Sequence, residues 1–379
     1  MKKRMKSKSL HFCGSCIAFY IGAGFATMQE VMQYEASYGS KFGVVIMTAA
    51  LIYIYTDLSF AANGNRYSLQ HGTDIFQHYC GKYIGTFYKW FSVVFCYLCY
   101  IVMCGGANST ATQQWGLPSG VGAAILMIAV IATVVFGLDS ILNTLSKIGP
   151  VIIVVLLIVS IVACVQGMGS FQENLRAVDS GKYHLTQVGN GNPFASGASY
   201  GGFVVIWFSS FLCEIGAKNR LKEVRSGVLT SALFIFGVAI LCCIALISHM
   251  DQVAHADIPA LILAGLISPW FAQILAIIVF CGIYTTSVPL LWTSVGAVAE
   301  DGSRKYKVLT VIGGAAGCVI ACFLPYKTLV NVFYGLNGYL GFILIAFMIV
   351  QDIRRRGVLF RKPDAKLPNE NAEEEKASA

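Results

Sequence analysis

Charged residues are scarce in this chain: Asp, Glu, Lys and Arg make up only 12% of its 379 residues, whereas 56% are hydrophobic. The mean hydropathy is +0.67. No ordinary soluble domain has this balance, because a soluble surface needs more charge than this chain can supply. The sequence therefore indicates an integral membrane protein that crosses the bilayer several times.

Motifs for ATP-driven and hydrolytic chemistry are also lacking. The sequence contains no P-loop of the GxxxxGK[ST] type, so an ion or solute gradient is the expected energy source. The six histidines form neither an HExxH motif nor a triad-like set, and all fall at span ends or in loops: His11, His71, His78, His184, His249 and His255. An intramembrane enzyme is therefore the weakest of the functional classes.

Cysteine and net charge give no sign of a metal, a cofactor or nucleic acid. Two CxxC pairs, Cys13 with Cys16 and Cys96 with Cys99, lie inside apolar segments without histidines at metal-ligand spacing. We interpret the cysteines as small core hydrophobes. The net charge of +8 comes from lysines and arginines that lie mostly between apolar runs. Such residues determine membrane topology, so we expect a lipid bilayer as partner and no nucleic acid.

Ten segments are long enough to cross a bilayer, most of them about 20 residues long. They are 10–34, 42–62, 84–103, 120–137, 148–168, 199–217, 228–249, 270–299, 308–324 and 330–350. The basic N-terminus, residues 1–9, precedes the first segment, and the small residues Gly22-Ala23-Gly24 are followed by more membrane sequence rather than by a mature domain. We interpret it as a cytoplasmic anchor rather than a signal peptide.

Positive charges support this count and its orientation in the cell membrane. With a cytoplasmic N-terminus, the predicted outer connections hold only Lys41, Arg176, Lys182 and Lys327. The inner ones hold Lys2, Lys3, Arg4, Lys6, Lys8, Arg66, Lys82, Lys147, Lys218, Arg220, Lys222, Arg225, Arg304, Lys305, Lys307 and Arg354 to Arg356. This asymmetry predicts that both termini are cytoplasmic. The polar segment 351–379 lacks apolar periodicity and is predicted to be a disordered tail.

The first span is interrupted at Ile21-Gly22-Ala23-Gly24-Phe25 and carries Glu30 shortly afterwards. In hydrocarbon, freed backbone groups are tolerated only where they face protein, ions or a polar cavity. A half-helix beginning near Ala26 suits a substrate carboxylate, while carbonyls of the preceding half suit a cation. The alternative is a glycine kink that lets neighbouring helices pack closely.

Ten spans divide into two sets of five, and because five is odd the second set runs through the membrane in the opposite direction. The sequence thus allows an inverted repeat of residues 10–168 and 199–350 within a transmembrane domain of residues 10–350. Between Ser199 and Glu214 the sixth span also contains glycines, a serine pair and a carboxylate. This pattern predicts a second broken helix. The alternative is an unbroken helix whose serines bond to their own carbonyls.

Several motifs resemble the YkvI-like bacterial membrane proteins within the amino acid, polyamine and organocation transporter superfamily. They are the stretch from Gly22 to Glu30, Tyr38-Gly39, Cys104-Gly105-Gly106-Ala107, Trp115-Gly116-Leu117-Pro118 and Gly338-Tyr339-Leu340-Gly341. The resemblance covers roughly residues 10–350. It implies an all-α protein of ten transmembrane helices in the LeuT-type five-plus-five inverted repeat, with helices 1 and 6 broken.

Two positions depart from that family. Met28 stands where such proteins usually carry a glycine, which would narrow the cavity or change the substrate. The sixth span lacks the Asn expected near its break and has Trp207 or Phe208 there instead.

The resemblance also implies a central substrate site. Its main-chain groups belong to Ile21, Gly22, Ala23, Gly24 and Phe25, with Trp207, Ser209 and Ser210 opposite. The spacing of Tyr97 and Tyr100 on the third span puts them on one helix face, where Tyr100 could donate a hydrogen bond to a substrate. The alternative is a core tyrosine whose hydroxyl is satisfied by a neighbour.

The sequence supports two alternative schemes for ion coupling. Gly282, Thr285 and Thr286 offer a carbonyl and two hydroxyls on one face of the eighth span, which suits Na⁺, and the resemblance adds carbonyls of Ala18 and Ile21. The threonines could equally bond back to their own helix. In sodium-independent relatives a lysine similar to Lys147 replaces the ion, although Lys147 is equally a boundary residue. We favour no sodium requirement, or H⁺ coupling.

Glu30 and Glu214 follow the two predicted breaks and are candidates for gating, amine recognition or proton coupling. For Glu214 the alternative is an ion pair with Lys218 or Arg220, and for Glu30 a solvated position near the outer interface. Asp57 is predicted to pair with Arg66.

Together these observations predict a secondary active transporter of a small amino acid, amine or related zwitterion, working by alternating access. A sensor or accessory protein with the same fold is the main alternative. The sequence does not determine the oligomeric state.

Overall fold

The computed structural model describes residues 2–67, 69, 73–136, 148–300 and 302–354. Lys147 and residues 355–379 of the predicted tail lie outside these ranges. Every regular element within the described residues is helical, and none of them is a strand. The prediction of an all-α chain is therefore confirmed for this part of the molecule.

Sixteen α-helices follow one another along the described ranges. The first eight are α1 (Lys2–Tyr20), α2 (Ala23–Ala26), α3 (Gln29–Tyr34), α4 (Phe42–Tyr67), α5 (Asp74–Trp115), α6 (Val121–Phe136), α7 (Ile148–Gly167) and α8 (Phe171–Asp179). The others are α9 (Pro193–Lys218), α10 (Leu221–Ser248), α11 (Met250–Val253), α12 (Pro259–Ile267), α13 (Pro269–Gly296), α14 (Arg304–Phe323), α15 (Tyr326–Leu329) and α16 (Gly335–Arg354). A π-helix, Val330–Tyr334, joins α15 to α16.

Within the described residues, seven helical segments are long and apolar enough to cross a membrane. The two parts of α9, Pro193–Ile206 and Phe208–Lys218, form an eighth if the bent pair is one span. The chain is thus a multi-pass membrane protein. Ten spans and a five-plus-five repeat stay predictions, since the first predicted span is divided among α1, α2 and α3 and Val121–Val135 is a shorter apolar helix.

Local sequence explains where several of the long helices begin. The side chain of Asn192 accepts hydrogen bonds from the backbone N–H groups at the start of α9, at 2.9 and 3.2 Å. Ser268 caps α13 and Ser303 caps α14 in the same way, at 3.1 and 3.0 Å. Proline occupies the first position of α9 and of α13, where no backbone donor is needed.

Glycines let α9 lie unusually close to both of its main neighbours. Towards α4, a β-carbon on Gly216 would lie 2.1 Å from the carbonyl oxygen of Ala61. Towards α16, a β-carbon on Gly341 would lie 1.8 Å from the carbonyl oxygen of Gly202. Only residues without a β-carbon permit these crossings, which is how small residues bring membrane helices together. The Gly338–Gly341 motif therefore has a packing role.

A buried polar network joins the ends of α4, α5 and α16. The carboxylate of Asp352 accepts hydrogen bonds from Tyr55 at 3.0 Å, from Asn63 at 3.2 Å and from Ser59. Asn63 also donates to the hydroxyl of Tyr79 at 2.7 Å. Because each partner of this buried carboxylate is satisfied, the network fixes the three helices to one another.

The predicted pair between Asp57 and Arg66 is wrong. Asp57 is completely buried, and neither of its carboxylate oxygens has a hydrogen-bond partner among the described residues. Both residues belong to the continuous helix α4, in which nine residues correspond to a rise of about 13.5 Å and half a turn beyond two full turns. The two side chains therefore leave the helix on opposite faces.

Candidate functional site

The first predicted span is interrupted twice. Helix α1 ends at Tyr20, where the N–H of Gly22 donates to the carbonyl of Tyr20 at 2.9 Å, and α2 begins at Ala23. The second interruption is Met28, whose φ of 59° lies in the left-handed region, immediately before α3. This conformation favours glycine, which is the residue expected at this position from the resemblance described above. The Met28 side chain is completely buried.

A small space, the central cavity, lies beside these interruptions. The volume available to the centres of water molecules is about 40 Å³, which is enough for a few water molecules. Five residues singled out from the sequence are among its lining residues: Gly22, Gly24, Glu30, Phe208 and Thr286. The remaining lining residues are Tyr20, Cys99, Met103, Tyr200, Phe203, Val204, Leu290 and Tyr334. Residues that are far apart in the sequence, from Tyr20 to Tyr334, therefore meet at this cavity.

Glu30 lies directly over the first interruption. A β-carbon on Gly24 would lie 1.7 Å from Oε1 of Glu30, so the carboxylate occupies the space that glycine leaves empty. The direction follows from helix geometry, because side chains lean towards the N-terminus of their helix and Glu30 is in the first turn of α3. Its exposed fraction is 6%, which excludes the alternative of a solvated interface position.

Aromatic rings close the cavity on the α1 side of the interruption. The ring of Tyr20 contacts the rings of Tyr53, Tyr200, Phe208 and Phe236, with centroid distances of 5.5 to 6.1 Å. These rings come from four helices, α1, α4, α9 and α10. They form a layer, the Tyr20 layer, that separates the cavity from the N-terminal part of α1.

Hydrogen bonds close the cavity on the α3 side. The hydroxyls of Thr27 and Tyr326 lie 3.2 Å apart, and Thr27 also donates to the carbonyl of Gly24 at 2.7 Å. The N–H of Ala260 donates to the carbonyl of Thr27 at 3.2 Å. Tyr326 packs against Gly106 of α5, where a β-carbon would lie 3.3 Å from its ring. This Thr27–Tyr326 latch ties the interrupted span to α12 and α15.

A second cavity lies beyond the latch, with about 370 Å³ available to water centres. Tyr326 and Gly105 belong to its wall. Six of its thirteen lining residues have polar side chains: Asn108, Ser109, Thr112, Gln113, Ser119 and Asp257. Because Tyr326 borders this cavity and bonds to Thr27 at the interruption, the latch separates the second cavity from the central one.

Helix α9 supplies the wall opposite the interruption and is bent by 54° at Trp207. Tyr200, Phe203 and Val204 line the central cavity before the bend, and Phe208 lines it after the bend. The sequence reasoning missed the first three. Their i, i+3, i+4 spacing marks one helix face, which was the available signal.

Several other predicted site residues lie outside the lining. The hydroxyl of Tyr100 donates to the carbonyl of Gly314 at 3.2 Å, and that of Ser209 donates to Ile206 at 3.0 Å. Glu214 is about half exposed and forms an ion pair with Lys218 at 3.7 Å. Ser210 is partly buried, and Ile21 and Phe25 are buried beside the interruption. The side chains of Ala18, Ala23 and Trp207 lie outside the described part of the structure.

The predicted cation positions lie on two contacting segments. Helix α2 packs on α13, which carries Gly282, Thr285 and Thr286. Both threonine hydroxyls donate to the carbonyl of Gly282, at 2.8 and 3.0 Å. Pro289 lacks the N–H that would bond to the carbonyl of Thr285, which leaves that oxygen able to accept elsewhere. The competing residue, Lys147, lies outside the described part of the chain.

Comparisons with known proteins identify the fold. No family model and no curated relative matches the chain by sequence. Among solved structures, MhsT in complex with L-phenylalanine is similar over 87% of this chain and 88% of its own, with 17% identity and a TM-score of 0.56. A point mutant of the Eremococcus coleocola manganese transporter is similar over 91% and 78%, with 12% identity and a TM-score of 0.52. The chain therefore has the fold of these LeuT-type membrane transporters.

Proposed function

We propose that this protein is a secondary active transporter of a small amino acid, amine or related zwitterion. One observation carries the proposal: the central cavity lies at the point where the first span is interrupted and α9 bends, in a fold shared with transporters. Interrupted helices at membrane depth place unpaired backbone groups beside a solute. One of the similar structures holds L-phenylalanine, an amino acid.

Alternating access is the mechanism that fits the two closures. The Tyr20 layer blocks one exit of the central cavity, and the Thr27–Tyr326 latch blocks the other. The Tyr20 layer consists of ring contacts, whereas the latch rests on hydroxyl contacts and a backbone hydrogen bond. Opening one closure at a time would expose the bound solute to each side of the membrane in turn.

Finer features of the proposal rest on the sequence. They are cytoplasmic N- and C-termini in the cell membrane, ten spans in an inverted repeat, and membership of the YkvI-like family. Coupling is proposed to need H⁺ or no ion rather than Na⁺, because Lys147 resembles the lysine that replaces the ion in sodium-independent relatives. If H⁺ is the coupling ion, symport of H⁺ with the substrate is one form of the proposed mechanism.

Counterflow in proteoliposomes tests transport directly. Vesicles loaded with unlabelled phenylalanine, alanine, phenethylamine or ethylamine receive a trace of the same labelled compound outside, at equal pH and salt. We expect transient accumulation of label above its equilibrium level for at least one compound, and none in protein-free vesicles. Binding of a compound without any exchange would overturn the proposal, because a sensor binds its ligand but does not move it.

A further inference from the structure

We propose that the central cavity selects its substrate by the ammonium group, held by Glu30 and the surrounding rings, and needs no substrate carboxylate. The substrate class is then an organic amine. This inference rests on the proposed function and narrows it.

The charge of the cavity gives the first argument. Among the described residues that line it, Glu30 alone carries a charged side chain. No ion pair to Glu30 occurs among the described residues. A buried carboxylate without a cationic partner is unstable in hydrocarbon, so it needs a cation from outside the chain or a proton. An ammonium group in the cavity meets that need.

The position of Glu30 gives the second argument. The sequence suggested that the half-helix after the interruption suits a substrate carboxylate. In the structure the protein's own carboxylate already lies there, pressed against Gly24. A second carboxylate at the same point would lie next to the first and be repelled by it. The interruption is therefore arranged for a substrate of positive charge.

The walls of the cavity give a third, independent argument. Five aromatic rings line it: Tyr20, Tyr200, Phe203, Phe208 and Tyr334. Aromatic faces attract ammonium groups, most strongly where water is excluded. The hydroxyl of Tyr200 is buried and has no hydrogen-bond partner among the described residues. Its oxygen can accept a hydrogen bond from the ammonium N–H, which satisfies a second orphaned group.

The side chains that line the cavity suit an inorganic cation less well than an organic ammonium group. Cys99 and Met103 add two sulfur atoms to the lining, but hard divalent cations such as Mn²⁺ prefer several oxygen ligands. Within the described residues, no group of three His, Cys, Asp or Glu side chains could hold a metal. We therefore argue for the amine and make Mn²⁺ an arm of the test.

Compounds of similar structure test whether the ammonium group or the carboxylate group of the substrate is recognised. Purified full-length protein is heated with phenylalanine, phenethylamine or 3-phenylpropionate, and in a second series with alanine, ethylamine or propionate. MnCl₂ is tested separately. We expect the amine of at least one series to raise the melting temperature at least as much as the amino acid, because a ligand that binds the native state stabilises it. The carboxylate-only compound should give no shift.

Variants then assign the effect to Glu30. Glu30→Gln keeps the size of the side chain and should weaken amine binding at least tenfold, while Glu30→Asp, which keeps the charge, should retain part of it. Glu214→Gln is the matched control: its exposed carboxylate pairs with Lys218, so the amine shift should be unchanged. Each shift is measured relative to the ligand-free form of the same variant, which removes differences in basal stability.

Each contrary outcome has a defined meaning. A shift with the amino acids but not with the amines would overturn the inference and leave the proposed transport function standing. An amine shift that survives in Glu30→Gln, a shift with Mn²⁺ alone, or no shift with any compound would also overturn the inference. The counterflow experiment judges the transport function separately.

Discussion

Replacing Gly24 with alanine perturbs the contact that places Glu30 over the first interruption. The new β-carbon would lie 1.7 Å from Oε1 and 2.7 Å from Cδ of Glu30, whereas ordinary contacts begin near 3.4 Å. The carboxylate must therefore move away by roughly 1.7 Å within a small cavity. Overfilling a packed interior by one methyl group costs about 1–3 kcal/mol, so we expect the free energy of unfolding to fall by that amount.

A double-mutant cycle isolates this contact. In a Glu30→Ala background the carboxylate is absent, so Gly24→Ala should change the unfolding free energy by less than about 0.5 kcal/mol. The measured quantity is the difference between the two effects of Gly24→Ala, followed by tryptophan fluorescence during denaturation in detergent. Gly14→Ala serves as control, since Gly14 is an exposed α1 residue whose β-carbon would meet nothing within 4 Å.

The same cycle can refute the reasoning. If Gly24→Ala costs as much without the Glu30 carboxylate as with it, the two residues are not in contact and Glu30 points elsewhere. The amine-induced thermal shift provides a second reading, because Gly24→Ala should abolish it while Gly14→Ala keeps it.

Three further predictions follow from contacts elsewhere in the molecule. Gly341→Ala brings a β-carbon to 1.8 Å from a facing backbone carbonyl and should destabilise the protein by about 1–3 kcal/mol or more in thermal unfolding, whereas Gly237→Ala, with open space around it, should not. Tyr326→Phe removes the hydroxyl that contacts Thr27 and should cost about 0.5–1.5 kcal/mol, while thiol labelling inside the central cavity becomes faster; unchanged labelling would contradict the latch. Thr285→Val should leave ligand-induced thermal shifts equal with and without Na⁺, and loss of a sodium-dependent part would instead assign a sodium site.

Local sequence predicts the features that depend on neighbouring residues along the chain. The length of the apolar runs predicted most of the spanning segments. Gly22 and Gly24 indicated the interruption, because few other residues permit close backbone approach there. The threonines of α13 were left with two interpretations, and the structure shows both hydroxyls bonded within the helix. Helical arithmetic alone would have excluded the pair between Asp57 and Arg66.

The direction of the Glu30 side chain and the residues that line the cavity could not be predicted from the local sequence. Glu30 lies in the first turn of α3, which begins directly after the second interruption at Met28, and methionine gives no signal for a positive φ. The face that α9 turns to the cavity depends on its contacts with α4 and α16 through distant glycines. Tertiary packing therefore decides which aromatic side chains, such as Tyr200, line the site.

Thiol accessibility of Cys99 is the most direct test that the central cavity is the transport site. Cys99 lines that cavity, whereas Cys322 is exposed and lines the second cavity. Variants that keep one of these two cysteines and lack the other twelve are treated with a membrane-impermeant thiol reagent in right-side-out and inside-out vesicles. The account predicts that Cys99 reacts from both sides and is protected by the bound amine, while Cys322 reacts from one side. Reaction of Cys99 from one side only, with no protection by ligand, would contradict it.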